Sequence, residues 1–276
     1  MKANNSFLDL VNYYTSEKRI KSYYDYLEIG LKKGFKYCSV IDSIKEIEKN
    51  TKKLICLRHD VDQKSPGALK MAKIEKDLGI KSTFYFRIST AEEKTIDKIK
   101  LMGHEVSYHY ETIAEYIKKK EIKSLKDLKK LDYLNECQNM LNENLYLFRK
   151  KYSVECKTLA SHGAFENKIL VISNNSLFQD IENLKEILNV KLECYDLNYL
   201  SNWNKYVSDC PVEYNNGFRY GINPLESFGE DRIIFLSHPN HWSFTFLKRI
   251  KRLIKVSIKG MEIKEEKFFY QNNLKK

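Results

Sequence analysis

The chain has 276 residues, 42% hydrophobic and 13% aromatic, enough to fill the core of one large α/β domain or two small ones. No stretch reaches the roughly 18 uninterrupted apolar residues of a membrane span, and the six dispersed cysteines form neither a CxxC pair nor a compact disulfide framework. The formal charge of +11 invites a nucleic-acid partner, but lysines alternate with acids, as in Lys45, Glu46, Glu48 and Lys49 or Lys126, Asp127, Lys129 and Lys130. That pattern is solvated helix surface, so no nucleic acid is expected, whereas anionic sugar nucleotides or phospholipid-linked glycans remain suitable partners. The start, Met1 to Ser6, lacks an apolar signal-peptide core, and a cytoplasmic location with reduced thiols is expected.

In chain order, the spacing predicts two helices, Tyr23 to Lys32 and Ile41 to Glu48, separated at Gly34-Phe35. Together they make residues 1–50 a helical lead-in. A short apolar run, Lys53 to Leu57, precedes an amphipathic helix over Ala68 to Leu78, which Gly79 ends, and a strand over Lys81 to Arg87. Strand, helix, strand is a βαβ unit. The alternation continues with a helix over Glu92 to Met102, a strand over Glu105 to His109 and a long charged helix within Ser124 to Lys151. Further apolar segments are Lys157 to Ala160, Leu192 to Tyr195, Tyr206 to Ser208 and Arg232 to Ser237. Repeated βα units argue for a parallel sheet, closed or nearly closed, over residues 51–245. Residues 246–276 form a helical or strand extension.

All six histidines fall in four short segments at the ends of apolar runs: Arg58-His59-Asp60-Val61-Asp62, Gly103 to Glu111, Ser161-His162-Gly163, and Ser237 to Trp242. In a βα-barrel, functional groups gather at the C-terminal strand ends. Side chains alternate along a strand, so Arg58, Asp60 and Asp62 share one face, and His59 and Val61 the other. Two neighbouring carboxylates suit one bound to a metal and one poised as a base. His109 and Glu111 share a side by the same alternation. His104, at the start of its strand, reads as a structural hydrogen-bonder. His162 is a third metal ligand, an orienter of the base or a packing residue. His238 ends the strongest strand, and Pro239 stiffens the turn behind it, which suits an imidazole that protonates a leaving group. Glu111, His241 and Trp242 are expected to contact substrate, Trp242 by stacking on a sugar ring or else by packing in the core.

At these motifs, over roughly residues 20 to 245, the chain resembles the polysaccharide deacetylase superfamily (NodB homology, carbohydrate esterase 4). The Arg58-His59-Asp60-Val61-Asp62 segment is similar to the first motif of its WbmS-like branch, found in bacterial surface-polysaccharide clusters. The resemblance implies an irregular (β/α)7 barrel and metal-assisted hydrolysis of an N- or O-acetyl group on a sugar intermediate. By position it implies Asp60 as base, His238 as acid, and Asp62 and His109 as ligands of a divalent metal, zinc first, then cobalt, nickel or manganese. The family's second motif ends in a histidine four residues on, where this chain has Ile113, and its third carries an arginine where this chain has Ser161-His162-Gly163. Either Glu111 or His162 is then the missing ligand, and Arg58, paired with Asp60, stands in for the arginine. A deformylase or uronamide-modifying enzyme, and a carbohydrate-binding relative without catalysis, are the alternatives that Ile113 and the altered motifs leave open.

Overall fold

A computed structural model of the chain describes residues 18–64, 66–211, 215–243, 250, 251 and 254. The expected extension over 246–276 therefore lies outside the described residues except at Ile250, Lys251 and Ile254, as does the lead-in before Lys18. Eight strands alternate with helices: α1 Lys18–Lys32, β1 Lys36–Cys38, α2 Val40–Glu48, β2 Leu54–Val61, α3 Gly67–Asp77, β3 Thr83–Phe86, α4 Glu93–Leu101 and β4 Glu105–Tyr110. Then follow α5 Thr112–Lys119, α6 Leu125–Leu128, α7 Tyr133–Tyr152, β5 Thr158–Ser161, α8 Phe165–Leu170, α9 Leu177–Asp180, α10 Leu184–Ile187 and β6 Leu192–Glu193. The last are α11 Leu197–Leu200, β7 Lys205–Ser208, α12 Pro224–Ser227, β8 Arg232–Ser237 and α13 Pro239–Trp242.

Every ladder is parallel, in the order β6-β5-β4-β3-β2-β8-β7. The central β2 carries three partners: β8 along one edge, and on the other β1 beside Leu54 to Cys56 and β3 beside Arg58 to Val61. The sheet curls into a half-barrel of the kind a (β/α) barrel is built from, and among the described residues no ladder joins β6 to β7. Tyr199 in α11, between those edge strands in sequence, reaches across the interior to Ser43 Oγ (2.9 Å) and Cys56 Sγ (3.4 Å). Among the described residues no helix is long and apolar enough to cross a membrane.

Two differences from the sequence reading matter for the site. The lead-in is not purely helical: Lys36-Tyr37-Cys38, at the expected break, extends the sheet as β1. Three residues are too few to show a period of two, and β1 owes its pairing to β2. The segment after His109 and Glu111 turns into α5, an element the sequence reading did not place. Its Ile113, Ala114, Tyr116 and Ile117 pack under the sheet.

Alternation divides the core. Leu54, Cys56, Tyr85, Ala160, Cys194 and Ile234 fill the concave interior, while Phe84, Phe86, Val106, Tyr108 and Leu159 face the helices. Because β2 and β8 are covered on both faces, they read as near-continuous apolar runs, each fully buried Leu or Ile contributing about 1.5–3 kcal/mol. His59 departs from this apolar rule on the helix-facing side. Its Nδ1 lies 2.6 Å from Ser237 Oγ on β8 and its Nε2 2.9 Å from Glu75 Oε1 on α3. Glu75 also accepts the Tyr23 hydroxyl at 2.6 Å and the Ser82 hydroxyl, whose oxygen lies 3.1 Å from His104 Nδ1. Burial raises the pKa of Glu75, but His59 and His104 beside it hold the carboxyl below its ordinary value. His104 is the structural hydrogen-bonder expected, with Nε2 2.9 Å from the Ala72 carbonyl.

Candidate metal centre and acid–base site

Four strand ends deliver the site. Asp60 comes from β2 and Asp62 from the residue after it, His109 from β4, His162 from the residue after β5, and His238 from the residue after β8. Asp62 Oδ1 stands 3.2 Å from His109 Nε2 and 3.2 Å from His162 Nδ1. One donor atom from each of these three residues lies within 4.8 Å of the others. Asp60 Oδ2 is 3.5 Å from the same His109 nitrogen, and Asp62 Oδ2 is 3.7 Å from His238 Nε2. The structure thus brings Asp60, Asp62, His109, His162 and His238 together.

The donor set suits a cation. Asp62 Oδ1 is buried and no hydrogen-bond donor is aligned on it among the described residues, although two imidazole nitrogens sit beside it. His109 places Nδ1 2.9 Å from the Ala160 carbonyl, which fixes a proton on that nitrogen and turns Nε2 to the carboxylates. Burial works to raise the Asp62 pKa, yet His109, His162 and His238 hold it well below the usual carboxylate range. An ionised oxygen flanked by two imidazole nitrogens is a metal-ligand arrangement, a cation taking the place of the shared protons. Of the two side chains expected beside Asp62 and His109, it is His162 that stands within reach of both. Glu111 is instead clamped by Arg87, whose Nη2 donates to both its oxygens at 2.8 and 2.7 Å and whose Nη1 donates to the Asp62 carbonyl at 3.2 Å. Ile113 is fully buried in the core.

The buried Arg58 forms a fork with Asp60, Nε to Oδ1 at 2.8 Å and Nη2 to Oδ2 at 2.7 Å, and its Nη2 also donates to the Tyr195 hydroxyl at 3.1 Å. Burial raises the pKa of Asp60, but Arg58 first and His109 next hold it below its ordinary value. The Tyr195 and Tyr85 rings cover the guanidinium at 4.8 and 5.3 Å.

His238 is held from behind by Asp209, just beyond β7. Oδ1 lies 2.5 Å from His238 Nδ1, and Oδ2 accepts the His238 backbone N–H at 2.9 Å and the Trp242 indole N–H at 2.6 Å. Burial lowers the pKa of His238; Asp209 above all, then Asp62 and Asp60, more than offset it and raise the pKa. The geometry fixes Nδ1 on Asp209 and turns Nε2 to the cluster. The close approach of α3 to this turn depends on Gly67, where a Cβ would collide with the Pro239 carbonyl.

Trp242 corrects the expectation of sugar stacking. It is 2% exposed, packed against Tyr23, Tyr26, Phe218 and Phe235, with Arg19 4.5 Å over its ring. Glu111 is likewise committed to Arg87, and His241 turns Nδ1 to Asp209 Oδ1 at 3.3 Å. Asp209, His238 and His241 form a second group that could hold a metal, although both Asp209 oxygens are already engaged by N–H groups. Sequence reasoning missed Asp209, Arg87 and Tyr195. Asp209 and Arg87 carried the signal used for the histidines, a charged residue at the end of an apolar run. Comparison with protein-family models gives no match, and comparison with curated proteins gives none.

Proposed function

We propose that the chain is a metal-dependent hydrolase that removes an N- or O-acetyl group from a sugar intermediate of bacterial surface-polysaccharide assembly. On this reading it belongs to the polysaccharide deacetylase superfamily, with that family's irregular (β/α)7 barrel. The observation that carries the proposal is Asp62, with one oxygen between His109 and His162 and the other facing His238. One carboxylate and two imidazoles favour zinc, with cobalt, nickel or manganese as substitutes. When bound there, the metal would polarise the acyl carbonyl and acidify water.

The chain's own residues divide the proton transfers. Asp60, ionised and oriented by the Arg58 fork, takes a proton from the attacking water. His238 gives one from Nε2 to the leaving nitrogen or oxygen, while Nδ1 keeps its proton on Asp209. One proton is taken and one delivered, so hydrolysis of the acyl bond balances. A deformylase or uronamide-modifying enzyme would use the same groups and differ in substrate. Ile113 is what favours the non-catalytic alternative; against it, His162 beside Asp62 and His109 would supply the ligand that position lacks.

The test is the metal content of protein purified without a histidine tag, for wild type, His109→Ala and Asp62→Ala, followed by a panel of acetylated, formylated and amidated sugars. Near-stoichiometric metal that both substitutions abolish, with release of acetate from a nucleotide- or lipid-linked sugar, is expected. Protein that takes up no metal even on reconstitution would overturn the proposal.

A further inference from the structure

Between Asp231 and Glu262 the chain has no acidic residue, while Lys248, Arg249, Lys251, Arg252, Lys255 and Lys259 crowd into twelve positions. The apolar residues interleaved with them are not random. At helical periodicity Phe246, Leu247, Ile250, Leu253, Ile254 and Ile258 fall in one arc of about 140°, and the six basic residues in the opposite one, with Val256 on the basic side and Ser257 on the apolar side the exceptions. Ile250, Lys251 and Ile254 are helical and exposed, Ile254 to 52%. An apolar stripe backed by an all-basic face is the pattern of a helix that lies in a membrane interface, its stripe among acyl chains and its lysines against anionic headgroups.

Connectivity limits how far this segment can start from the site. Phe246 follows Trp242 by four residues, so its Cα lies within about 14 Å of that of Trp242, whose indole donates to Asp209 behind His238. The same end of the sheet exposes further large apolar residues: Ile88 two residues past β3, Phe165 four past β5 and Leu197 four past β6, with Phe165 exposed to 71%.

We infer that residues 246–259 bind the surface of an anionic phospholipid membrane and present the strand-end site to substrate carried on lipid. The occupant is committed by charge: six cations and no anion fit phosphate headgroups, and the apolar arc fits the acyl boundary beneath them. Membrane attachment stands without the proposed hydrolase reading; only the choice of a lipid-linked sugar over a nucleotide-linked one rests on it.

The experiment is co-sedimentation of the full chain with vesicles of phosphatidylcholine, with and without phosphatidylglycerol, at low and high salt. The expected result is binding that requires phosphatidylglycerol, weakens with salt, and falls about tenfold or more in Ile250→Glu/Ile254→Glu with metal content and thermal midpoint unchanged. A charge variant, Lys251→Glu/Lys255→Glu, should lose binding as well. No sedimentation at low salt overturns the inference. So does a lower thermal midpoint with unchanged binding in the isoleucine variant, which would mean that the stripe packs on the protein itself, or tight binding of an RNA or DNA oligonucleotide that vesicles do not compete. A chain that binds vesicles but takes up no metal would sink the hydrolase reading alone, and a metal-loaded, active chain that ignores vesicles would sink this one alone.

Discussion

Glu193, at the end of β6, gives the sharpest test of how burial sets charge in this half-barrel. Its Oε1 accepts the Tyr110 hydroxyl and the Ser161 N–H, both at 3.2 Å, and its Oε2 accepts the Tyr195 N–H at 2.7 Å. Burial outweighs these donors and Arg58, and lifts the carboxyl from its ordinary 4.5 to about 7. Below pH 4.5 the group is protonated whether the chain is folded or not. As pH rises toward 7 the unfolded chain releases this proton first, so the group's contribution falls by about 1.4 kcal/mol per pH unit, near 3 kcal/mol in all, then stays level. Glu193→Gln removes the titration while keeping the shape. Urea unfolding of wild type and variant across this range isolates the effect, because the other titrating groups are common to both. The stability of wild type minus that of Glu193→Gln should decline by about 3 kcal/mol from pH 4.5 to about pH 8. Parallel curves would refute the view that desolvation dominates at this position.

Two further outcomes follow from the packing. In a double-mutant cycle, Arg58→Met should cost about 3–5 kcal/mol by leaving Asp60 ionised and unpaired in the interior, and much of that cost should vanish when Asp60→Asn is added. Additive effects would deny that the two act as a pair. Ile113→Ala should lower stability by about 2–4 kcal/mol and leave bound metal untouched, since the side chain is core; metal loss without destabilisation would place that residue at the site after all.

Much of the candidate site was legible because a strand repeats every two residues. That rule alone put Arg58, Asp60 and Asp62 on one face and His59 on the other, and paired His109 with Glu111. It could not say which of two aligned groups meets a partner from another strand. The Arg87 fork that removes Glu111 from the cluster comes from the residue after β3, and the Asp209 carboxylate that holds His238 from the residue after β7. Trp242 was ambiguous for a similar reason: an aromatic after a turn is open or covered according to α1, whose Tyr23 and Tyr26 close over it. β1 was invisible because three residues carry no period.

The placement of His59 has a genetic consequence. Consecutive residues of β2 serve opposite sides of the sheet, Arg58 and Asp60 the cluster, His59 the Glu75–Ser237 contacts behind it. Deleting or duplicating a single residue within Leu54–Val61 would exchange the two sets, sending a carboxylate toward Glu75 and an imidazole toward Tyr195 and His109. Unlike most buried strands, which tolerate conservative replacement of individual residues, this one should reject every one-residue indel. A library of single-codon insertions and deletions would show it as an eight-residue stretch without survivors.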